Sequence, residues 1–206
     1  PLVAQIWGTN PDHCESTARL IVELGFDGVD LNMGCPERSA VKHGACSALI
    51  ENPELAKVLI RATQRGVEGK IPVSVKTRLG FRENTIEEWI KHILETEPAV
   101  ITIHGRTANQ TSETRADWES IGRAVQVARG RGTLILGNGD VQTLEEAREN
   151  VRDYGVDGVM FGRAIFSNHW LFDQGRRDPP SIEEKLNALV EHAKLFEETY
   201  GAGRGF

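Results

Sequence analysis

Short apolar runs alternate along this chain with longer stretches whose apolar positions recur every three or four residues. The runs Leu2–Trp7, Gly28–Asn32, Val73–Thr77, Val100–His104, Leu134–Gly137 and Gly158–Phe161 have the length and hydrophobicity of short buried strands. Between them, Leu55, Val58, Leu59 and Ala62 repeat at helical spacing, as do Ile86, Trp89, Ile90 and Ile93, so each set marks one apolar helix face. Asn10-Pro11 and Asn52-Pro53 place a capping side chain before a proline in the first helical turn, and Thr143 caps Leu144-Glu145-Glu146. Strands alternating with helices predict βαβ units and a parallel sheet. Strands this short suit a closed barrel of parallel strands, so the predicted fold is α/β, a (β/α)8 TIM barrel.

The alternation stops after Phe172. A polar segment over Asp173–Pro180 reads as a linker, and Ser181–Tyr200 forms an amphipathic helix with no strand after it. The predicted organisation is a partial barrel over 1–172, followed over 173–206 by a linker and the start of a helical domain. At 206 residues the chain is shorter than the ~250 typical of a complete barrel. It opens on Pro1 rather than Met, already in a strand-like segment. It therefore reads as an N-terminally truncated piece of a longer protein, with about six of eight strands present.

A formal charge of −6 and a pI near 5.6 argue against coating nucleic acid by bulk positive charge, while leaving room for local basic loops. Three cysteines, Cys14, Cys35 and Cys46, are too few and too irregular for a disulfide framework or a zinc site, which points to a reducing compartment. No apolar run reaches the ~20 residues of a membrane span, and no signal pattern opens the chain. The expected location is the cytoplasm, with no membrane partner.

The chemistry gathers where strands end. Asp30-Leu31-Asn32-Met33-Gly34-Cys35-Pro36 closes one strand with an amide, a thiol and a Gly/Pro turn. Further strand ends carry Lys76 and Arg78, His104 and Arg106, Asn138 to Asp140, and Gly162-Arg163. Parallel strands bring their C-terminal ends to one rim, so these residues should converge on one cavity. Taken alone, Cys35 reads as a small buried hydrophobe. Lys76 admits three readings: a side chain snorkelling at the strand end, a cation facing the electron-rich atoms of a cofactor ring, or a Schiff-base lysine. His104 could be a core histidine, a general acid or a donor to a cofactor, and no neighbouring His, Asp or Glu spacing supports a metal.

Gly137-Asn138-Gly139-Asp140 and Gly162-Arg163 lie at adjacent strand ends, in the region where such barrels hold phosphate, and so predict a phosphate-bearing cofactor. There is no G-x-G-x-x-G after an early strand and no Walker loop, so FMN fits better than a dinucleotide or a nucleoside triphosphate.

Together these residues resemble the tRNA-dihydrouridine synthase family, FMN-dependent enzymes that reduce uridines in tRNA. The resemblance rests on Val3–Gly8, Gly25–Pro36, Pro72–Gly80, His104-Gly105-Arg106-Thr107, Ala116-Asp117-Trp118, Gly137–Asp140 and Asp157–Arg163. It implies a barrel holding FMN at its C-terminal rim, followed by a helical domain that grips tRNA, with NADPH as reductant. It assigns Cys35 as the acid that protonates uracil C5 after hydride reaches C6, and Asn32 as the residue beside the target uracil. Gln5, Lys76, His104, Asn138, Gly139, Asp140, Gly162 and Arg163 fall on FMN-contacting positions. A thiol is suited to the acid's part, because its ordinary pKa of about 8.5 keeps it mostly protonated at neutral pH.

Arg38, Lys42, Arg78, Arg82, Arg106 and Arg115 are basic residues near the same rim, with Arg78 and Arg106 the leading candidates to meet substrate RNA. An unpaired sheet edge in a six-stranded piece could pair with a second copy. Two rival readings are a flavin barrel acting on free pyrimidines and an inactive fragment that binds RNA or a protein.

Overall fold

The computed structural model describes residues 1–201 apart from 174, 176, 177 and 179. The chain divides into two units, Pro1–Gly162 and Arg163–Phe206. The first is built on a six-stranded parallel sheet whose spatial order is the chain order: β1 (Val3–Ile6), β2 (Gly28–Met33), β3 (Val73–Arg78), β4 (Val100–His104), β5 (Leu134–Asn138) and β6 (Gly158–Met160). All five pairings are parallel, with β1 and β6 at the edges. Every crossover passes through helix, as parallel neighbours require. The intervening helices are α1 (Pro11–Glu23), α2 (Arg38–Lys42), α3 (Pro53–Val67), α4 (Ile86–Leu94), α5 (Trp118–Ala128) and α6 (Leu144–Tyr154), with a 3-10 turn over Cys46–Glu51.

The caps foreseen from sequence are present. The Asn10 side chain accepts from the N–H groups of Asp12 and His13, Asn52 accepts from Leu55, and Thr143 forms a reciprocal capping box with Glu146.

Register divides the sheet into two chemically different faces. On one, Val29, Leu31 and Met33 of β2 stand beside Val73 and Val75 of β3, Ile101 and Ile103 of β4, and Ile135 of β5, all of them buried. Helices cover this face, α1 packing on α3, α3 on α4, α4 on α5 and α5 on α6. Two polar groups in that layer satisfy each other, the indole Nε1–H of Trp89 donating to Thr77 Oγ1 at 2.9 Å. Gly137 has no side chain because the ring of Trp118 occupies the space a Cβ would need.

The opposite face carries Gln5, Asp30 and Ser74 in one row, Asn32, Lys76 and Thr102 in the next, and Arg78, His104 and Asn138 in the last. The later rows lie progressively nearer the strands' C-terminal ends.

The second unit holds α7 (Ala164–Ser167) and α8 (Ile182–Tyr200). A Ser181/Glu184 capping box starts α8, whose residues Ile182, Leu186, Leu189, Val190 and Leu195 are exposed. The linker foreseen over Asp173–Pro180 falls partly outside the described residues.

Candidate active site

The turn after β2 is held in place atom by atom. Asn32 Oδ1 accepts from the backbone N–H groups of Gly34 (3.1 Å) and Cys35 (2.9 Å). Arg78 Nε donates to the Gly34 carbonyl at 2.7 Å, and Thr77 Oγ1 to the Met33 carbonyl at 3.1 Å. A Cβ on Gly34 would sit 3.1–3.2 Å from Thr77 main-chain atoms, so glycine lets the turn lie directly on β3. Cys35, half-buried, leaves this turn beside the small buried cluster Ala40, Ala45 and Cys46.

From Asn32 a chain of hydrogen bonds runs back across three strands. Asn32 Nδ2 donates to Gln5 Oε1 (3.1 Å), Gln5 Nε2 to Asp30 Oδ2 (2.7 Å), and Ser74 Oγ to Asp30 Oδ1 (2.6 Å). Both oxygens of Asp30 accept, which fixes the amide orientation of Gln5 and through it that of Asn32. Burial pushes the Asp30 carboxyl up from the usual carboxylate range, while Ser74, Gln5 and the nearby Lys76 charge pull the other way.

Lys76 lies on the same face, half-buried, and its ammonium makes no hydrogen bond or ion pair among the described residues. Desolvation lowers its pKa, the neighbouring Arg78 cation adds to this, and Asp30 and Cys35 oppose it. An ammonium so placed favours an anionic or electron-rich ligand.

His104 stands among the Arg78, Lys76 and Arg106 cations, and burial together with these charges drives its pKa down to about 3. The ring is therefore neutral, and Arg106 fixes its tautomer. Arg106 Nη1 lies 3.1 Å from His104 Nε2 and can only donate, so Nε2 accepts and Nδ1 carries the proton.

Arg106 departs from the part foreseen for it. It is 2% exposed, its Nη2 reaches both oxygens of Asp140 at 2.7–2.8 Å, and its Nε and Nη2 bind the carbonyls of Thr114 and Ser112. Rather than reaching out to RNA, the side chain clamps the loop after β4 to the end of β5. Asp140, at φ +59, also accepts from the Ala116 N–H, so its carboxylate is engaged by the protein. Arg78 is likewise anchored, to the carbonyls of Gly34 and Thr107, and keeps Nη2 without a partner among the described residues.

Asn138 Nδ2 donates to the Met160 carbonyl at 2.8 Å, tying β5 to β6. Glycine is required at position 139 by the protein's own packing, since a Cβ there would lie 2.7 Å from Ala116 and 3.2 Å from His104. Gly162 ends the first unit with open space around it, and Arg163 begins the second as the residue capping α7. Arg38, Lys42, Arg82 and Arg115 are exposed. Among the described residues no group of three His, Cys, Asp or Glu is arranged to hold a metal ion.

Gln5, Asn32, Cys35, Lys76, Arg78, His104 and Asn138 thus share one face near one rim. Sequence reasoning missed Asp30 and Ser74. Their signal was present as polar residues at every second position, Asp30 and Asn32 in β2 and Ser74, Lys76 and Arg78 in β3, within runs read as continuously apolar.

The family model for dihydrouridine synthase (Dus) matches residues 1–205. A probable tRNA-dihydrouridine synthase of Staphylococcus aureus (strain Mu50 / ATCC 700699) is 40% identical over 200 residues, covering 95% of this chain and 60% of that protein. A probable tRNA-dihydrouridine synthase 2 of Bacillus subtilis (strain 168) is 38% identical over 201 residues, covering 96% of this chain and 61% of that protein. The chain therefore spans about three fifths of the length of these curated relatives.

Among solved structures, morphinone reductase aligns with a TM-score of 0.58 at 15% identity over 85% of this chain and 51% of its own. DHODH of Eimeria tenella in complex with ferulenol aligns with a TM-score of 0.56 at 13% identity, over 87% and 55%. At such identities the likeness shows the fold alone, an α/β fold of the TIM-barrel type.

Proposed function

Since the chain belongs to the dihydrouridine synthase family, we propose that it is the catalytic part of an enzyme that reduces uridine in tRNA to 5,6-dihydrouridine. FMN and NADPH are the proposed cofactor and reductant, and the cytoplasm is the proposed location. The observation that carries the reading is one arrangement: a half-buried thiol on a turn pinned by Asn32, on the same sheet face as an ammonium with no hydrogen bond among the described residues.

The polar face fits a flavin. Lys76 offers a cation, His104 offers Nδ1–H from a ring held neutral, and Arg78, Lys76 and Arg106 together give the site a positive field suited to a phosphate-bearing ring. Gln5, Lys76, His104, Asn138 and the backbone at Gly139 are the proposed contacts, with Gly162 at the phosphate. Asp140 acts through Arg106. When bound, the flavin supplies the hydride that uracil receives at C6.

The protein's own groups do the rest. Cys35 gives its thiol proton to C5 on completion of the reduction, acting as a general acid. Asn32 has spent Oδ1 on the turn and one Nδ2 hydrogen on Gln5, which leaves its second Nδ2 hydrogen for an oxygen of the uracil. A uridine in folded RNA must leave its stack to reach the thiol, so base extrusion is part of the reading. The exposed Arg38, Lys42, Arg82 and Arg115 are the proposed contacts to tRNA phosphates.

The test is to incubate the purified full-length protein with NADPH and unmodified transcript tRNA and measure dihydrouridine by mass spectrometry. Flavin absorbance and conversion of tRNA are the expected result. Reduction of free uracil or orotate with none of tRNA would overturn it in favour of a free-pyrimidine dehydrogenase.

A further inference from the structure

We propose that Cys35 and Cys46 are partners in a reversible disulfide, with Cys35 the site of attack by a peroxide and Cys46 the resolving thiol.

Proximity comes first. The Ser47 N–H donates to the Cys35 carbonyl at 3.2 Å, and Ser47 follows Cys46 directly. Standard backbone dimensions then hold the two Cα atoms within about 8 Å of each other. That upper bound lies just beyond the window for a disulfide of about 4.4–6.8 Å, so closing the bond needs at most a short local movement of the two turns. Cys35 also packs against the cluster formed by Ala40, Ala45 and Cys46.

The backbone at Cys46 is the second observation. It sits at φ +55, in the left-handed region that glycine enters freely and other residues enter at a cost. The chain nonetheless carries a thiol at this position, 2% exposed and beside Cys35.

The environments of the two sulfurs set the order of events. Cys35 is half-buried and so can be reached by an oxidant from solution, whereas Cys46 is enclosed. Cys46 is pushed up to about 11, by burial first and by Cys35 second, and so stays protonated and slow to react with an oxidant from solution. Cys14 is no competitor. It is buried on α1, where its thiol is hydrogen-bonded with Thr63 of α3.

The chemistry balances with hydrogen peroxide as oxidant. The Cys35 thiolate attacks one peroxide oxygen, the O–O bond breaks, and a sulfenic acid forms as hydroxide leaves and takes up, as water, the proton the thiol had released. The Cys46 sulfur then attacks the Cys35 sulfur, its thiol proton departs with the displaced hydroxide as a second water, and the S–S bond closes. Two thiols lose two electrons and the peroxide gains them. A dithiol reverses the step. The functional consequence rests on the proposed role of Cys35: the disulfide removes the proton that uracil C5 requires, so the reductase stops until the thiols are restored.

The full-length protein, treated with a slight excess of hydrogen peroxide and then alkylated, tests this without reference to activity. The expected product is about 2 Da lighter than the reduced protein. Its free thiols among the described cysteines should fall from the three of the reduced state to Cys14 alone. Trypsin should release the peptide 20–38 joined to the peptide 43–57, and dithiothreitol should separate them. Cys46→Gly suits the φ at that position. It should fold and leave Cys35 to advance to a sulfinic acid about 32 Da heavier, which dithiothreitol does not reverse.

A wild-type protein that gives the sulfinic acid without the linked peptides would overturn the proposal. So would a Cys46→Gly variant that recovers as fully as wild type. If the linked peptides form but the reduced protein does not act on tRNA, the thiol pair stands and the proposed function falls.

Discussion

The two faces of the six-stranded sheet obey different rules. On the helix-covered face, aliphatic residues such as Val75, Ile101 and Ile103 are interchangeable in kind: each contributes area removed from water, and the Trp89–Thr77 bond is a local exception. On the opposite face each polar residue is defined by its neighbours. Asp30 orients Gln5, Gln5 orients Asn32, Asn32 pins the Cys35 peptide, and Arg106 sets the tautomer of His104. One face therefore sets stability and the other sets chemistry, and substitutions should separate the two.

The largest separation is expected at Cys35. Cys35→Ala should lower turnover by about 10²–10⁴, the usual contribution of a positioned general acid. Flavin absorbance should persist, and stability should stay within about 0.5 kcal/mol. Ile103→Ala should do the reverse, costing about 2–5 kcal/mol in denaturant unfolding. A Cys35→Ala protein as unstable as the Ile103→Ala protein would erase the distinction between the faces.

Arg106→Ala bridges both faces. It removes the ion pair to the exposed Asp140 carboxylate and the bonds to the Thr114 and Ser112 carbonyls, and should cost about 1–3 kcal/mol. Removing one of the charges that depress His104 should also raise that residue's pKa from about 3 toward 6.5, which the histidine NMR shifts would follow.

Asp30→Asn is the sharper probe of the polar face. It should cost about 1–3 kcal/mol and reverse the Gln5 amide, spoiling the Asn32 contact. Adding Gln5→Glu supplies a carboxylate that accepts both from the new amide at position 30 and from Asn32, so the double variant should recover kcat relative to Asp30→Asn alone. No recovery would mean that Asp30 acts only by filling space.

The last expectation is a slope in pH. His104 is depressed when folded, so its contribution is fully present above pH 6.5, the unfolded value, and is lost as pH falls toward about 3. Acid unfolding of His104→Gln should lack that component.

The helix-covered face was legible in the sequence, because apolar runs and helical periodicity are local. Strand spans read from sequence differ from those observed by at most one residue at either end, as at β1, which runs Val3–Ile6 rather than Leu2–Trp7. The rim was legible through parallel topology, which brings Cys35, Lys76, His104 and Asn138 to one end once six parallel strands are granted. The partnerships on that face were not legible. Asp30 lies 25 residues from Gln5 and 44 from Ser74, and nothing local to Asp30 shows that its carboxylate is shared between them. Arg106 illustrates the same limit. Arginine in a rim loop reads as an RNA contact until Asp140, 34 residues later, is seen to hold it.

Spatial order equal to chain order has a consequence for how the sheet can be made. During synthesis each new strand joins the strand made just before it, so no strand has to open a sheet already formed. Asp30 emerges to find Gln5 already present, and its second oxygen waits on Ser74 in the next strand. The polar relay can thus be completed once β3 has docked, while the strands that carry His104 and Asn138 are still to be translated.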